Sequence, residues 1–142
     1  MSPHADARGL CRRRCYCTLL PALLIGTRPA QAASLADAMR QAQARRDEAV
    51  AAGDQAYGAV VLRGDAVVGA APSRVVTAGD PTAHAEMEAI RDATRRLRTR
   101  DLSGCILVCT SRPCRMCEAA AGWAGISRMV YGEALTDAGP PR

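Results

Sequence analysis

Apolar and polar positions follow two periods along this chain. From residue 35 to 52, Leu35, Ala38, Met39, Ala42, Ala49 and Val50 fall near one face at helical spacing, and Gly53-Asp54 ends the pattern. YGAVVL (57–62) and AVVGA (66–70), divided by the turn Arg63-Gly64-Asp65, read as a strand hairpin. Residues 72–81 form a loop with Pro72, Gly79 and Pro81. A second helix is expected after Pro81, capped by Asp80 or Thr82, with Ala89, Ile90, Ala93 and Leu97 at helical spacing and arginines on the other side. CILVCT (105–110) is an uninterrupted apolar run and reads as a buried strand. A third helix is predicted over 114–125, a last strand over RMVYG (128–132), and a frayed tail at TDAGPPR. Strand, helix and strand with no hairpin turn imply a parallel pair joined by a right-handed crossover.

Composition changes this picture in one place. The chain has 142 residues, the size of one domain, and lacks Phe, so its core must come from Ala, Val, Leu, Ile and Met. All nineteen basic residues are Arg, and the formal net charge is +5. Five of those arginines, against Asp6 alone, lie in the first 32 residues; fourteen arginines and thirteen acidic residues remain beyond them. The excess charge therefore belongs to the leader. The globular part lacks the footprint of a polyanion binder, which disfavours nucleic acid as a partner. Arg12-Arg13-Arg14, the apolar stretch 15–26 and Ala30-Gln31-Ala32 are organised like a cleaved signal peptide over 1–32. The adjacent arginines allow twin-arginine export, with a periplasmic destination, for a mature domain over 33–142. The alternative is a true start at Met39, which leaves the protein cytoplasmic. No apolar run is long enough to span a bilayer.

The candidate chemistry lies in two short motifs. Residues 84–86 read His-Ala-Glu, and residues 113–117 read Pro-Cys-Arg-Met-Cys. Cys114 and Cys117 stand at i and i+3 at the start of a predicted helix, so they share a face. That spacing allows the sulfur separation of about 4 Å that tetrahedral zinc needs, and a helix N-terminus favours thiolates. His84, Cys114 and Cys117 supply three ligands, leaving a fourth position for water, the pattern of a catalytic zinc rather than a closed structural one. Glu86 is not needed as a ligand and stands where a carboxylate could move a proton. The competing reading of CxxC after a strand is a thioredoxin-like redox pair, which leaves the His-Ala-Glu motif unexplained. Cys105 and Cys109, about 13 Å apart along one strand, are too distant to bridge and read as small buried hydrophobes.

YGAVVLRGDAVVG, DPTAHAEMEAIRDA and SGCILVCTSRPCRMCEAAAGWAGISRMVYG resemble the zinc-dependent nucleobase and nucleoside deaminase superfamily, in its guanine deaminase and tRNA adenosine deaminase branch. The resemblance spans residues 53–132. It implies a three-layer α/β/α, cytidine-deaminase-like sandwich with a mixed sheet, His84, Cys114 and Cys117 as ligands of Zn2+, and Glu86 as the catalytic proton shuttle. It implies hydrolytic deamination of a small-molecule nucleobase or nucleoside, first a purine such as guanine, with tRNA adenosine or cytosine as lesser alternatives. Ser73, Ala85 and Trp123 are the candidates for substrate contact, although Trp123 reads equally as a packing residue. Ser73 stands where relatives usually carry Asn, and Arg112 where they often carry Glu. The chain also stops about ten residues after the last predicted strand, which motivates the expectation of a homodimer whose partner closes the site. A zinc-binding domain without activity is the main rival to an enzyme.

Overall fold

The computed structural model describes residues 34–141, so the expected signal peptide lies outside the described residues. The chain runs α1 (Leu35–Ala51), β1 (Gly58–Arg63), β2 (Ala66–Pro72), α2 (Ala85–Leu97), β3 (Cys105–Cys109), α3 (Arg115–Trp123), β4 (Arg128–Tyr131) and β5 (Thr136–Gly139). One sheet in the order β2-β1-β3-β4-β5 holds the strands of the described residues. β1 is antiparallel to both β2 and β3, while β3 and β4 are parallel across the α3 crossover. The sheet is mixed, as the pattern implied.

The buried run of β1 is explained by helices on both sides of it. Val60 and Leu62, with Val108 of β3, pack against Ala38, Met39 and Ala42 of α1. Ala59 and Val61 alternate to the other face and join Leu107, Ala89, Ala93 and Ala121 beneath α2 and α3. Each fully buried Val or Leu contributes about 1.5–3 kcal/mol by removal from water. Two glycines set how closely the helices approach. A Cβ on Gly58 would stand 2.0 Å from the Ala42 carbonyl oxygen of α1, and one on Gly69 would stand 2.5 Å from the Ala89 carbonyl oxygen of α2. α2 is thereby pressed onto β2, which fixes the height of its N-terminus above the sheet. Among the described residues, no helix is long and apolar enough to cross a membrane.

The structure corrects three expectations. α2 begins at Ala85 with His84 as its N-cap, rather than after a cap by Asp80 or Thr82. Asp80 is occupied by a local turn, in which Oδ1 accepts from the Thr82 N–H and hydroxyl at 2.7 Å each. α3 is shorter than 114–125: Cys114 is its N-cap and Gly125, at φ +76°, lies beyond its end. The tail is not frayed, since Thr136–Gly139 pairs antiparallel with β4. Arg128 anchors this edge strand through Asp137 at 2.9 Å.

Candidate metal centre and its surroundings

The N-termini of α2 and α3 meet at the end of β3, and their N-caps are the two residues picked out by the motifs. His84 and Cys114 both hold extended backbone at these caps, with no side-chain capping bond, which frees both side chains. His84 Nδ1 lies 3.7 Å from Cys114 Sγ and 3.6 Å from Cys117 Sγ, and the two sulfurs are 3.6 Å apart. Tetrahedral zinc with ordinary bond lengths needs about 3.8 Å between sulfurs and about 3.6 Å between sulfur and nitrogen. The triangle fits that ion. Among the described residues, these three form the only cluster of metal-donor side chains. Cys117 is buried, His84 half-buried and Cys114 exposed, so the triangle is open on one side.

Glu86 is the second residue of α2, in its first turn, and only 5% exposed. The Cys117 thiol donates to its Oε2 at 3.6 Å. Burial pushes the Glu86 carboxyl above its ordinary value; its own backbone N–H, the Cys117 thiol and His84 oppose this without cancelling it. Burial, then the Glu86 carboxylate and Cys114, push the Cys117 thiol up as well. Zinc binding at this donor would release the thiol proton. Cys109 sits close enough to feel Glu86 and Cys117, but burial raises its thiol first and furthest, which keeps it protonated. Cys105 and Cys109 are both buried and unbridged, the packing role that the apolar run suggested.

The three expected substrate contacts fare differently. Ala85 is fully buried with its methyl group in the core, so any part in binding falls to its backbone. Ser73 is 2% exposed, and its hydroxyl donates to Asp54 Oδ1 at 2.8 Å. Trp123 is 92% exposed at the last residue of α3. Nine residues of helix put it about 13 Å from Cys114, at the opposite end of α3 from the donors. The structure does not bring Trp123 to the metal centre, and it packs on neither core.

Asp54 is the residue that the sequence reading missed. Its carboxylate accepts from Ser73 Oγ at 2.8 Å, the Val76 N–H at 3.0 Å, the Thr77 N–H at 2.7 Å and Thr77 Oγ1 at 2.9 Å. Burial works against its charge, but the bonds from Thr77, Gln55 and Ser73 outweigh it and hold the carboxyl below the ordinary range. Asp54 thus pins the loop that leads into the metal centre, and the Arg74 N–H reaches the carbonyl of Ala83, next to His84, at 2.9 Å. The Asp following the helix-ending Gly53 was the available signal, but nothing in the sequence paired it with residues 73–77.

Comparison with known proteins agrees with this geometry. Residues 33–133 match the model of the cytidine and deoxycytidylate deaminase zinc-binding region. The chain is 40% identical to guanine deaminase of Bacillus subtilis over 82 residues, 58% of this chain and 53% of that one. It is 39% identical to a tRNA-specific adenosine deaminase of Aquifex aeolicus over 79 residues, 56% of this chain and 52% of that one. It spans about half the length of these two curated relatives. The crystal structure of the Bacillus subtilis guanine deaminase superposes with a TM-score of 0.64 at 35% identity, covering 68% of this chain and 65% of that chain.

Proposed function

The chain belongs to the cytidine and deoxycytidylate deaminase family, and we propose that it hydrolytically removes an amino group from a nucleobase or nucleoside, a purine such as guanine first, and releases ammonia. The observation that carries this reading is the Nδ1–Sγ–Sγ triangle with a buried carboxyl one thiol away. His84, Cys114 and Cys117 would hold zinc. Zinc there would supply the Lewis acidity that makes water a nucleophile near neutral pH.

The chain's own residues supply the proton movements. Glu86 is a non-ligand carboxyl in an apolar setting, where burial favours its protonated form. The raised value leaves the proton exchangeable: as the carboxylate, Glu86 takes one proton of the attacking water and passes it to the ring nitrogen beside the reacting carbon, then takes the proton of the added hydroxyl and delivers it to the departing amine. Water adds its oxygen, the C–N bond breaks, and the products are the keto base and ammonia. The N-termini of α2 and α3 turn their positive ends toward this point and favour the anionic donors. A zinc-binding domain without turnover is the second reading, favoured by the Ser73 hydroxyl being engaged by Asp54.

The test is ammonia release by the full chain, zinc-loaded and metal-free, on guanine, adenine, cytosine and their nucleosides. Zinc-dependent release from one of them is the expected result. A zinc-loaded protein that releases none supports the inactive reading.

A further inference from the structure

A metal-binding histidine is ordinarily oriented by a carboxylate or carbonyl behind its ring. Among the described residues, the His84 ring has polar contacts only with the Cys114 and Cys117 sulfurs. Its placement therefore falls to the backbone that carries it. That backbone leaves a closed loop. The Arg74 N–H donates to the Ala83 carbonyl at 2.9 Å and ties together the two ends of residues 74–83. Inside the loop, the Ala78 N–H donates to the Arg74 carbonyl at 2.8 Å, the Asp80 N–H to the Val75 carbonyl at 3.2 Å and the Ala83 N–H to the Asp80 carbonyl at 3.0 Å. Ala83 is buried, and His84 follows it as the cap of α2. These bonds hold the loop together without fixing it to the rest of the fold. Asp54 supplies that attachment. Among the described residues, every side-chain hydrogen bond between residues 73–79 and the rest of the chain ends on its carboxylate. The Ser73 N–H adds a backbone bond to the Tyr57 carbonyl at 3.0 Å. Asp54 is itself fixed to the end of α1, where its N–H donates to the Ala49 carbonyl at 2.8 Å just after Gly53, at φ +75°. α1 packs on the face of the sheet opposite α2 and α3. Asp54 thus joins the two layers at the loop that delivers the histidine.

We propose that Asp54 is a positioning residue for the metal centre: by anchoring residues 73–77 it sets, through the Arg74–Ala83 bond, where His84 stands against the two thiols. The proposal rests on the metal site of the deaminase reading and deepens it. Cys114 and Cys117 belong to α3 and its cap, outside this loop, so the influence of Asp54 passes through the histidine. The carboxylate is suited to the task because all its partners are donors. Oδ2 accepts from the Val76 N–H, the Thr77 N–H and the Thr77 hydroxyl, and Oδ1 from the Ser73 hydroxyl and the Gln55 N–H. An asparagine amide has the same shape but turns an NH2 group toward one of these two sets. Either orientation leaves donors facing donors, which loosens the loop without opening a cavity.

The test is cadmium binding to the full chain carrying Cys11→Ser, Cys15→Ser and Cys17→Ser, so that residues 1–32 offer no thiolate. Cadmium is the probe because two thiolates still hold a soft ion once the histidine is gone. Affinity is read from the thiolate-to-cadmium absorbance against a competing chelator, for Asp54→Asn, for His84→Ala and for the two together. Circular dichroism establishes that each protein is folded at the temperature of measurement. Asp54→Asn should weaken binding about tenfold when His84 is present, and less than about twofold when it is alanine. Unchanged affinity overturns the proposal. So does an equal loss in both backgrounds, which is what a general loosening of the fold produces. Should Asp54→Asn not fold, Thr77→Val takes its place, since it removes only the Oγ1 bond. It must then weaken binding about threefold with His84 present and leave it unchanged without, and no loss overturns the proposal. A parent chain that binds no cadmium counts against the metal site and takes the proposal with it. Binding that is indifferent to Asp54 counts against the positioning alone.

Discussion

Asp54 and Glu86 are both carboxylates near the same loop, and their surroundings treat them in opposite ways. Asp54 accepts four hydrogen bonds from residues 73–77 and a fifth from the Gln55 N–H at 2.8 Å, and those bonds hold its carboxyl below the ordinary range. Glu86 is buried with one thiol partner at 3.6 Å, and burial raises it. The first carboxylate is saturated and structural. The second retains acceptor capacity and the option of a proton, which is what a proton shuttle requires. The difference lies in how many donors the fold aims at each group.

That contrast can be sharpened by removing what distinguishes the two corners. The largest effect is expected from Cys117→Ala, which deletes the buried donor that stands 3.6 Å from both His84 Nδ1 and Glu86 Oε2. Bound zinc, read by elemental analysis, should fall from about one per chain to near zero, because two donors do not make a tetrahedral site. Hydrogen exchange at Val76 and Thr77 should stay slow, since the Asp54 corner does not depend on the metal. Fast exchange there would break the distinction.

A smaller effect is expected from Gly69→Ala. The added Cβ would lie 2.5 Å from the Ala89 carbonyl oxygen and 2.7 Å from the Ala93 nitrogen, backbone that can give way only if α2 lifts. Overpacking of this kind costs about 1–3 kcal/mol, readable by urea unfolding. Because α2 carries Glu86 and follows His84, zinc affinity should weaken with it. An unchanged affinity would show that the metal corner does not depend on how α2 sits on the sheet.

The smallest effect is the pH dependence of the metal-free protein, and its two parts have opposite signs. The Asp54 carboxyl lies lower in the folded state than its ordinary 3.8, so its stabilisation is present above 3.8 and lost as pH falls through the folded value. The Glu86 carboxyl lies higher than its ordinary 4.5, so its contribution is present below 4.5 and lost as pH rises through the folded value. Urea titrations should therefore show Asp54→Asn flattening the acid limb and Glu86→Gln flattening the limb above 4.5. Identical profiles for the two variants would remove the contrast.

The residues of the metal corner were legible because each set is local in sequence. His-Ala-Glu and Cys-x-x-Cys each hold their residues within a helix cap and its first turn, and the apolar run of β3 announced a buried strand. Asp54 was not legible, because its partners are 19 to 23 residues away and nothing local requires them. β5 escaped because Thr-Asp-Ala-Gly offers no apolar alternation; its pairing comes from β4 and from the Arg128–Asp137 bridge. Trp123 read equally as a pocket wall or a packing residue, whereas α3 carries it to the end away from the donors and leaves it exposed. The helix caps shifted for a related reason: Asp80 and Thr82 satisfy each other, and His84 takes the cap position.

The proposed deamination requires the buried Glu86 carboxyl as well as the three metal donors. Its most direct test is the rate of ammonia release per bound zinc by the full chain and by Glu86→Gln, on whichever substrate the native protein prefers. Full zinc occupancy is expected in both, with a rate about 10²- to 10⁴-fold lower in the variant, the range for loss of a general acid–base. Equal rates at equal zinc content would contradict it.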